Sequence, residues 1–379
     1  MPSILFVMKY PLHKRDNLQN KFDGQLTAAR TLGWDAYHIG WDLQGMWLIG
    51  VETRVLLKRC RFSRMRGYDH TLIFIDLMAA VRSALRLMHV DVLYLRYMPT
   101  FAGAVRTMRA LKAQDGKLVL EYPTYPPDDE NKRFFLRRQV FRYTNRVLSQ
   151  IHPMVDLYTL IGKPCETGML DGRPAMNIVN GVDVNAFPLH TVRSQDDSIR
   201  LLALASMCGW HGYDRILTSL AAYTGDADVH IVFVGNDGDG SLSAWQQLTE
   251  ALGLQERVTF QGALHGEALD RLIATCDVGI GSLGMYRYGL DTAMTLKLRE
   301  YMSRGLPFIS ATSDPALPED PAFSMTVPNS DAPIDMEAIV AFARRSKQAP
   351  DVPKRMREYA QAHMSWVGVL SRVLERVKP

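Results

Sequence analysis

Short apolar runs alternate with helix-length amphipathic stretches along this chain, and the alternation occurs in two successive series. The first series has apolar runs at residues 4–8, 90–95 and 117–121, and the second has them at 199–206, 229–234, 258–260, 278–280 and 308–310. Strands separated by helices are typical of an open, doubly wound parallel sheet. The 379 residues are enough for two such domains, at about 100–200 residues each. We therefore predict an α/β protein with two doubly wound sheets.

The segment 188–198 (PLHTVRSQDDS) is polar and aperiodic, and it separates the two series. We predict an N-terminal domain over residues 1–187, a linker over 188–198 and a C-terminal domain over 199–350. Residues 351–379 are predicted to form a helical segment that packs back toward the N-terminal domain. Two such domains are expected to face a cleft, with ligands beyond the carboxyl ends of the strands.

Composition excludes several classes of protein. Apolar residues make up 47% of the chain and charged residues 22%, which is typical of a globular protein and excludes a mainly disordered one. No apolar run approaches the roughly 18 residues of a membrane helix, and the run at 3–8 is too short for a signal peptide. The four cysteines are far apart, which predicts neither a disulfide scaffold nor a zinc knuckle: Cys60, Cys165, Cys208 and Cys276. We expect a cytoplasmic protein with buried thiols.

The charge is distributed unevenly between the two halves. Residues 1–187 carry a net charge of +9 and the remainder −5, within an overall +4. A basic half favours an anionic partner, and we expect an anionic membrane surface, with a plain solvated face as the alternative. Nucleic acid is not expected, because no nucleic-acid-binding module is present. Basic residues recur at helical spacing in two stretches, the second interleaved with phenylalanines: Arg54, Lys58 and Arg61, and Arg138, Arg142 and Arg146.

Two glycine-rich loops follow strands of the second series. In the first, glycines allow close approach of the backbone to a ligand, and basic side chains flank a helix start, where phosphate is stabilised: Gly209, His211, Gly212 and Arg215. The second loop, GNDGDG, is predicted to lie beside a nucleotide through Gly235 and Asn236. Its Asp237 and Asp239 have the spacing of a metal-binding D-x-D pair, but such loops are common turns, and we expect no metal.

Two further loops complete the candidate donor site. The loop that contains Leu264 and Glu267 is expected to meet the edge of a base. The last loop leads into a predicted helix over 292–304 and offers backbone donors for a diphosphate: Gly289, Leu290, Asp291 and Thr292. On that helix Lys297 and Glu300 share one face, so that the lysine can neutralise phosphate and the carboxylate can bind a ribose diol. The alternative is that Lys297 and Glu300 form a surface ion pair.

Three sequence features together resemble family 4 retaining glycosyltransferases of the GT-B fold, of the bacterial surface-polysaccharide type. They are Asn180-Gly181-Val182-Asp183, the strand followed by GNDGDG, and the helix that reads LKLREYMSRGLPFI. The family helix reads E-A-M-A-x-G-x-P-V-I, and residues 300–309 match it position by position. The resemblance covers most of residues 175–315 and implies two Rossmann-like domains, with Glu300 binding the ribose. The chain departs from the family pattern at three positions: Arg96, His211 and Thr292 replace a histidine, a lysine and a glutamate.

The resemblance also implies a reaction and its partners. It implies transfer of a sugar from a nucleoside-diphosphate sugar to a glycan or lipid-linked acceptor, with retention at the anomeric carbon and without a metal or other cofactor. His211, Arg215 and Lys297 are then expected to stabilise the leaving diphosphate. The N-terminal domain is expected to bind the acceptor through Arg96 and the proline-rich segment 122–129, predicted to be a loop, with Tyr122, Thr124 and Tyr125. A non-catalytic GT-B-like subunit, or a nucleotide-sugar-binding protein with a degenerate site, is the alternative.

Overall fold

The chain forms two compact units in a computed structural model. The structure describes residues 1–12, 18–60, 63–65, 68, 72–98, 103–125, 135–162, 165–191 and 197–378, without the side chains of 135–141. The first unit comprises residues 1–179 and 366–379, and the second comprises residues 180–365. Each unit is built on one largely parallel sheet with helices, so the predicted pair of doubly wound α/β domains is confirmed.

The first unit contains a nine-stranded sheet in the order β4-β3-β2-β1-β5-β6-β7-β9-β8. Its strands are β1 Ser3–Pro11, β2 Asp35–Trp41, β3 Gly45–Ile49, β4 Arg54–Arg59, β5 Val92–Arg96, β6 Lys117–Tyr125, β7 Leu157–Gly162, β8 Met169–Leu170 and β9 Arg173–Asn177. The central strands pair in parallel, whereas β3, β4 and β8 pair antiparallel at the two edges. The helices are α1 Gln19–Thr31, α2 Leu72–Leu87, α3 Ala104–Lys112, α4 Phe135–Ile151 and the C-terminal α11 Trp366–Glu375.

The connections place these helices on both faces of the first sheet. The chain passes through α2, α3 and α4 while it moves across the sheet in one direction, from β4 to β5, β6 and β7. Right-handed crossovers therefore put these three helices on one face, where α2 contacts α3 and α3 contacts α4. The connection through α1 runs in the opposite direction, so α1 lies on the other face, where α11 packs against it. Coverage on both faces explains the uninterrupted apolar run of β1, which is buried from Ser3 to Met8.

The second unit contains a six-stranded, entirely parallel sheet in the order β12-β11-β10-β13-β14-β15. Its strands are β10 Ile199–Leu204, β11 Val229–Val234, β12 Val258–Phe260, β13 Val278–Ile280, β14 Phe308–Ser310 and β15 Ser324–Thr326. Its helices are α5 Tyr213–Ala222, α6 Ser241–Ala251, α7 Gly266–Ile273, α8 Leu296–Arg304, α9 Met336–Lys347 and α10 Val352–His363.

The unit boundaries differ from the predicted domain boundaries at both places where the chain passes from one unit to the other, 179/180 and 365/366. The predicted N-terminal domain ends at 187, but residues 180–187 belong to the second unit. There the Asn180 side-chain amide donates to Met294 O at 2.8 Å, and Arg299 Nε donates to Asn180 O at 2.9 Å. The predicted segment 351–379 is divided at 365/366, because α10 packs against α8 and α11 packs against α1. Residues 180–187 therefore belong to the second unit, and residues 366–379 belong to the first.

The sequence prediction of a loop over 122–129 is wrong for its first part. Strand β6 continues to Tyr125, and Pro123 falls where the pairing with β7 shifts register between Tyr122 and Tyr125. A proline at such an irregularity removes no ladder hydrogen bond, so it does not end the strand. Residues 126–129 of the predicted loop lie outside the described residues.

Two other local predictions are corrected. The helical spacing of Arg54 and Lys58 is misleading, since both lie on the edge strand β4, and Arg61 lies outside the described residues. Arg142 and Arg146 do lie on helix α4. The side chains of the other residues in this stretch are not among those that the structure describes: Arg138, Phe134, Phe135 and Phe141. The helix predicted from residue 292 begins at Leu296, and Thr295 precedes it with an extended backbone.

Within the part of the chain that the structure describes, no helix is long and apolar enough to cross a membrane. The cysteines are all free; Cys60, Cys208 and Cys276 are buried as expected, and Cys165 is half-buried.

Candidate functional site

Two loops meet at the carboxyl ends of β10 and β13 in the second unit. A Cβ atom on Gly212 would lie 2.5 Å from the backbone nitrogen of Gly284, and Gly212 has a φ of +61°, so only glycine fits there. Beside this contact the Leu283 amide donates to His211 O at 2.8 Å. The close approach of the two loops carries His211 toward the start of α8.

His211 and Lys297, both predicted from the sequence, are in direct contact. Lys297 Nζ lies 3.0 Å from His211 Nδ1 and donates to the Tyr213 hydroxyl at 2.9 Å. Nδ1 also lies 3.2 Å from Ser282 Oγ, and the Tyr213 ring stacks on the imidazole at 5.3 Å. A lysine ammonium can only donate, so with Lys297 protonated His211 Nδ1 is the acceptor and the imidazole is neutral.

The site holds a half-buried cation without a counter-charge. Burial lowers the pKa of Lys297 to about 7, and burial together with the charge of Lys297 lowers the pKa of His211 to about 2. Among the described residues no carboxylate lies within ion-pair distance of Lys297 Nζ. Lys297 occupies the first turn of α8, where the helix dipole also favours an anion. The arrangement is therefore suited to an anionic ligand.

Arg299, two residues further along α8, is a buried cation that does have a counter-charge. Its guanidinium lies 2.8 Å from one carboxylate oxygen of Asp314 and donates to the other at 2.9 Å. Both side chains are almost completely buried, with exposures of 1% and 0%. This pair, together with the bond from Arg299 to the backbone of Asn180, is structural.

Glu300 pairs with Arg304 and not with Lys297. Arg304 Nε donates to Glu300 Oε1 at 2.8 Å, and Arg304 Nη1 also lies 2.7 Å from Asp270 Oδ1. The alternative of a surface ion pair between Lys297 and Glu300 is therefore wrong. The Glu300 side chain is 15% exposed, and burial raises the pKa of its carboxyl group against the effect of Arg304. Its predicted role toward a ribose stays a prediction.

Arg215 holds two backbone segments together. Its guanidinium donates to Leu283 O at 2.5 Å and to Ala332 O at 2.8 Å, and it lies 5.5 Å from the ring of Tyr286. These contacts fix the loop after β13 from the side of α5. The predicted action of Arg215 on a diphosphate stays a prediction.

The GNDGDG loop lies against the loop that carries His211. A Cβ atom on Gly235 would lie 1.7 Å from Ala205 O, and the backbone oxygen of the exposed Asn236 accepts from Met207 N at 2.8 Å. Asp239 Oδ2 accepts from the Gly209 amide at 3.0 Å, so the two loops are hydrogen-bonded to each other. Asp239 Oδ1 accepts from Ser241 N at 3.2 Å and Asp237 Oδ1 accepts from Gly240 N at 2.8 Å, so both carboxylates already accept from backbone amides.

The remaining donor-side residues lie on loops with their own hydrogen bonds. The Asn329 side-chain amide donates to Leu290 O and Asp291 Oδ1, both at 3.0 Å, after the turn that ends at Gly289. Thr292 is exposed, and its hydroxyl lies 2.9 Å from Ser313 Oγ. Leu264 is half-buried before α7, and Glu267 in its first turn is exposed. Residues that sequence reasoning missed are Tyr213 and Ser282, which lie on the two loops that meet at Gly212 and Gly284, and Asn329, which comes from a more distant segment.

A second charged cluster lies in the first unit, around Arg96. Arg96 Nη1 and Lys21 Nζ lie 2.8 Å and 2.9 Å from the same oxygen of the buried Glu121, and the Tyr94 hydroxyl donates to the other oxygen at 2.8 Å. Burial lowers the pKa of Lys21 to about 8; the two cations overcome burial and lower the pKa of Glu121 to about 2. Sequence reasoning found Arg96 and missed Lys21 and Glu121, which are 100 residues apart.

The other predicted acceptor-side residues lie at the end of β6, beyond Glu121. Tyr122 is buried and stacks on Tyr97 with ring centroids 4.9 Å apart, and the half-buried Tyr125 lies 5.9 Å from Tyr122. Thr124 is exposed. An aromatic surface of this kind is compatible with a sugar, and the assignment to an acceptor stays a prediction.

Comparison with known proteins agrees with the fold. Residues 198–343, which lie within the second unit, match the family described as "Glycosyl transferases group 1". No curated protein matches the sequence.

Solved structures similar to the whole chain include HepE from Anabaena in complex with UDP, with 14% identity, a TM-score of 0.61 and coverage of 99% of each chain. Another is the catalytic domain of starch synthase IV from Arabidopsis thaliana bound to ADP and acarbose, with 12% identity, a TM-score of 0.67 and coverage of 99% of this chain and 98% of that chain. A third is the lipopolysaccharide outer core galactosyltransferase WaaB in its apo form, with 12% identity, a TM-score of 0.56 and coverage of 98% and 99%. Such identities establish the fold, which is GT-B.

The uncompensated charge predicts an unusual effect of substitution at Lys297. Replacing Lys297 by methionine keeps the stem and removes a charge that folding must bury, so we expect Lys297→Met to raise the free energy of unfolding. A pKa shift of one unit corresponds to about 1.4 kcal/mol, so a gain of about 1 kcal/mol or more is expected in urea titrations without ligand. Because the folded pKa is lowered, the gain should be largest below about pH 7 and shrink at higher pH.

Arg299→Met is the matched control on the same helix. It leaves Asp314 buried without its partner and should cost about 3–5 kcal/mol. A Lys297→Met protein that is destabilised as much as Arg299→Met would contradict the assignment of Lys297 as an uncompensated cation.

Proposed function

We propose that this chain is a GT-B glycosyltransferase that moves a sugar from a nucleoside-diphosphate sugar to a glycan or lipid-linked acceptor, with retention at the anomeric carbon. The observation that carries the proposal is the half-buried ammonium of Lys297, which faces no carboxylate among the described residues and lies at the start of α8. The matched segment 198–343 contains this lysine and both loops beside it. The similar structures of HepE and starch synthase IV contain UDP and ADP, which are ligands of the proposed class.

In the proposed complex the diphosphate lies at the start of α8. Lys297 binds a phosphate oxygen, and the backbone amides of the adjacent glycine loops add donors. His211 is neutral and accepts from Lys297, so it orients the ammonium without adding a second charge. As the bond from the anomeric carbon to the diphosphate oxygen breaks, negative charge grows on that oxygen, and a positioned ammonium stabilises it.

The other donor contacts and the stereochemistry follow from the family resemblance. Glu300 accepts hydrogen bonds from the ribose hydroxyls through the oxygen that Arg304 leaves open. Thr292 stands where family members carry a second glutamate, so the sugar meets a hydroxyl at this position. The first unit contributes acceptor-side residues at the ends of β5 and β6. The similarity in fold to the galactosyltransferase WaaB supports a role in surface polysaccharide synthesis.

A thermal-shift screen with UDP, GDP, ADP, CMP and dTDP tests the donor site and identifies the base, because a ligand of the native state raises its stability. Slow hydrolysis of the matching nucleotide sugar, followed by NMR of the released anomer, then tests catalysis and retention. Binding without any turnover, with or without candidate acceptors, would favour the non-catalytic alternative. No stabilisation by any of the five nucleotides would contradict the proposal.

The pKa of Lys297 predicts how donor affinity depends on pH. A bound diphosphate raises this pKa, so binding takes up a proton once the free lysine titrates, and affinity should fall above about pH 7 by up to tenfold per pH unit. A nucleotide sugar is the right probe, since both of its phosphates stay ionised over this range. Isothermal titration at several pH values measures the slope. In Lys297→Gln the affinity should be lower and independent of pH; a parent protein with no slope would contradict the assignment.

Glu300→Gln is expected to weaken donor binding and turnover by about tenfold to a hundredfold, because a hydrogen bond to a charged group contributes about 1.5–3 kcal/mol. Glutamine can still accept from Arg304, so the fold should persist. Glu250→Gln makes the same chemical change at an exposed position of α6 and should leave binding unchanged. If Glu300→Gln bound nucleotide with the affinity of the parent protein, the assignment of Glu300 as the ribose-binding residue would be contradicted.

Transfer or donor hydrolysis is expected to persist in EDTA. The proposed charge partner of the diphosphate is Lys297, and the carboxylates of Asp237 and Asp239 already accept from backbone amides of Gly240 and Gly209. The measurement compares rates with chelator and after added manganese. Loss of activity in EDTA that manganese restores would make Asp237 and Asp239 the first candidates for metal ligands.

A further inference from the structure

The helices α2, α3 and α4, which cover one face of the first sheet, each carry arginines. We call these six residues the arginine face: Arg82, Arg86, Arg106, Arg109, Arg142 and Arg146. Each helix contributes two arginines, three or four positions apart, so each pair lies on one side of its helix. Five of the six are exposed and Arg82 is half-buried.

The arginine face has no internal counter-charge. In the described part of the chain, no carboxylate lies within ion-pair distance of any of the six arginines. The three helices contribute one described carboxylate, Asp76, which lies 3.1 Å from Lys58, and the other cation of α3, Lys112, pairs with Asp156. Burial and the neighbouring charges of Arg106 and Arg86 lower the pKa of Arg82. Like charges from two helices are therefore crowded together, which is unfavourable unless an anion lies against them.

Exposed apolar side chains lie on the same helices as these arginines. Leu87 follows Arg86 at the end of α2 and is 61% exposed, and Tyr143 follows Arg142 on α4 and is 48% exposed. Arginine and tyrosine together favour the boundary between lipid headgroups and acyl chains, where charge meets phosphate and apolar groups enter the hydrocarbon. A nucleic acid would use the charge but would offer Leu87 no apolar environment.

We propose that the arginine face, with Leu87 and Tyr143, docks on the surface of an anionic lipid bilayer. This surface belongs to the first unit and shares no residue with the nucleotide site of the second. The proposal goes beyond the proposed function: docking would place the acceptor-side unit at the membrane, where a lipid-linked acceptor is found.

The experiment measures co-sedimentation of the full chain with phosphatidylcholine vesicles, with and without phosphatidylglycerol. The parent should bind the anionic vesicles and not the neutral ones, and binding should weaken with salt as the Debye length falls from about 10 Å at 0.1 M to about 3 Å at 1 M. The test variant combines Arg106→Gln, Arg109→Gln, Arg142→Gln and Arg146→Gln. Each arginine near the surface contributes about 1 kcal/mol, a factor of about five in partitioning, so a loss between about tenfold and several hundredfold is expected.

The matched control removes the same charge from the second unit, by Arg271→Gln, Arg344→Gln, Arg345→Gln and Lys354→Gln at exposed positions. This control should bind vesicles nearly as the parent does. A second variant, Leu87→Ser with Tyr143→Ser, separates a bilayer from other polyanions: it should lose vesicle binding severalfold and keep its binding to heparin. Soluble phosphate at matched ionic strength should compete no better than chloride if the ligand is the bilayer rather than a free anion.

Three outcomes would overturn the proposal: parent-like binding by the arginine variant, equal losses in the second-unit control, or a parent that prefers RNA or heparin and ignores anionic vesicles. The nucleotide thermal shift of the arginine variant should equal that of the parent. Lys297→Met should bind vesicles normally, so failure of the membrane proposal and failure of the donor site give different results.

Discussion

A cation that folding removes from water needs an anion, and α8 of the second unit carries two cations that differ in this respect. Arg299 receives its anion from the chain, through Asp314, and the pair holds Asn180 and the entry of the chain into the unit. Lys297 has no such partner among the described residues and bonds only to neutral groups. Two cations of one helix, two positions apart, thus differ in role: Arg299 stabilises the fold, and Lys297 keeps a charge without a partner from the described residues.

Much of the fold could be predicted because parallel strands with both faces covered are nearly pure apolar runs. Strands β11, β12, β13 and β14 have the predicted bounds, and each of them begins with an apolar residue. Strand β4 was missed because none of its residues is buried and because it carries arginine and lysine at spacings that also suit a helix; the short strand β3 before it was missed as well. The start of α8 was placed four residues early, because nothing in Thr292–Leu296 marks an extended approach.

The candidate site was predictable in its parts but not in its contacts. Glycines and basic residues after strands indicated His211 and Lys297 separately, and parallel-sheet geometry placed both at the same edge. The sequence does not show that His211 Nδ1 and Lys297 Nζ, which are 86 residues apart along the chain, lie 3.0 Å from each other. It also does not show that Tyr213 and Ser282 contact these two side chains. In the first unit, the sequence predicted only that Glu121 ends a strand. Its partners Lys21 and Arg96 lie on α1 and β5, and no pattern along the sequence connects these elements with Glu121.

The route of the chain between the units has a consequence for biogenesis. The second unit is one continuous segment, and its two ends are adjacent, since Val182 N donates to Met364 O at 2.8 Å. The first unit is discontinuous, because α11 must pack on α1. During synthesis from the N-terminus, the second unit has all of its residues once Ser365 is made, whereas the first remains without α11 until Trp366–Glu375 emerges. A nascent chain would therefore complete the second unit before the first, and premature termination near residue 365 would leave α1 without its helical cover.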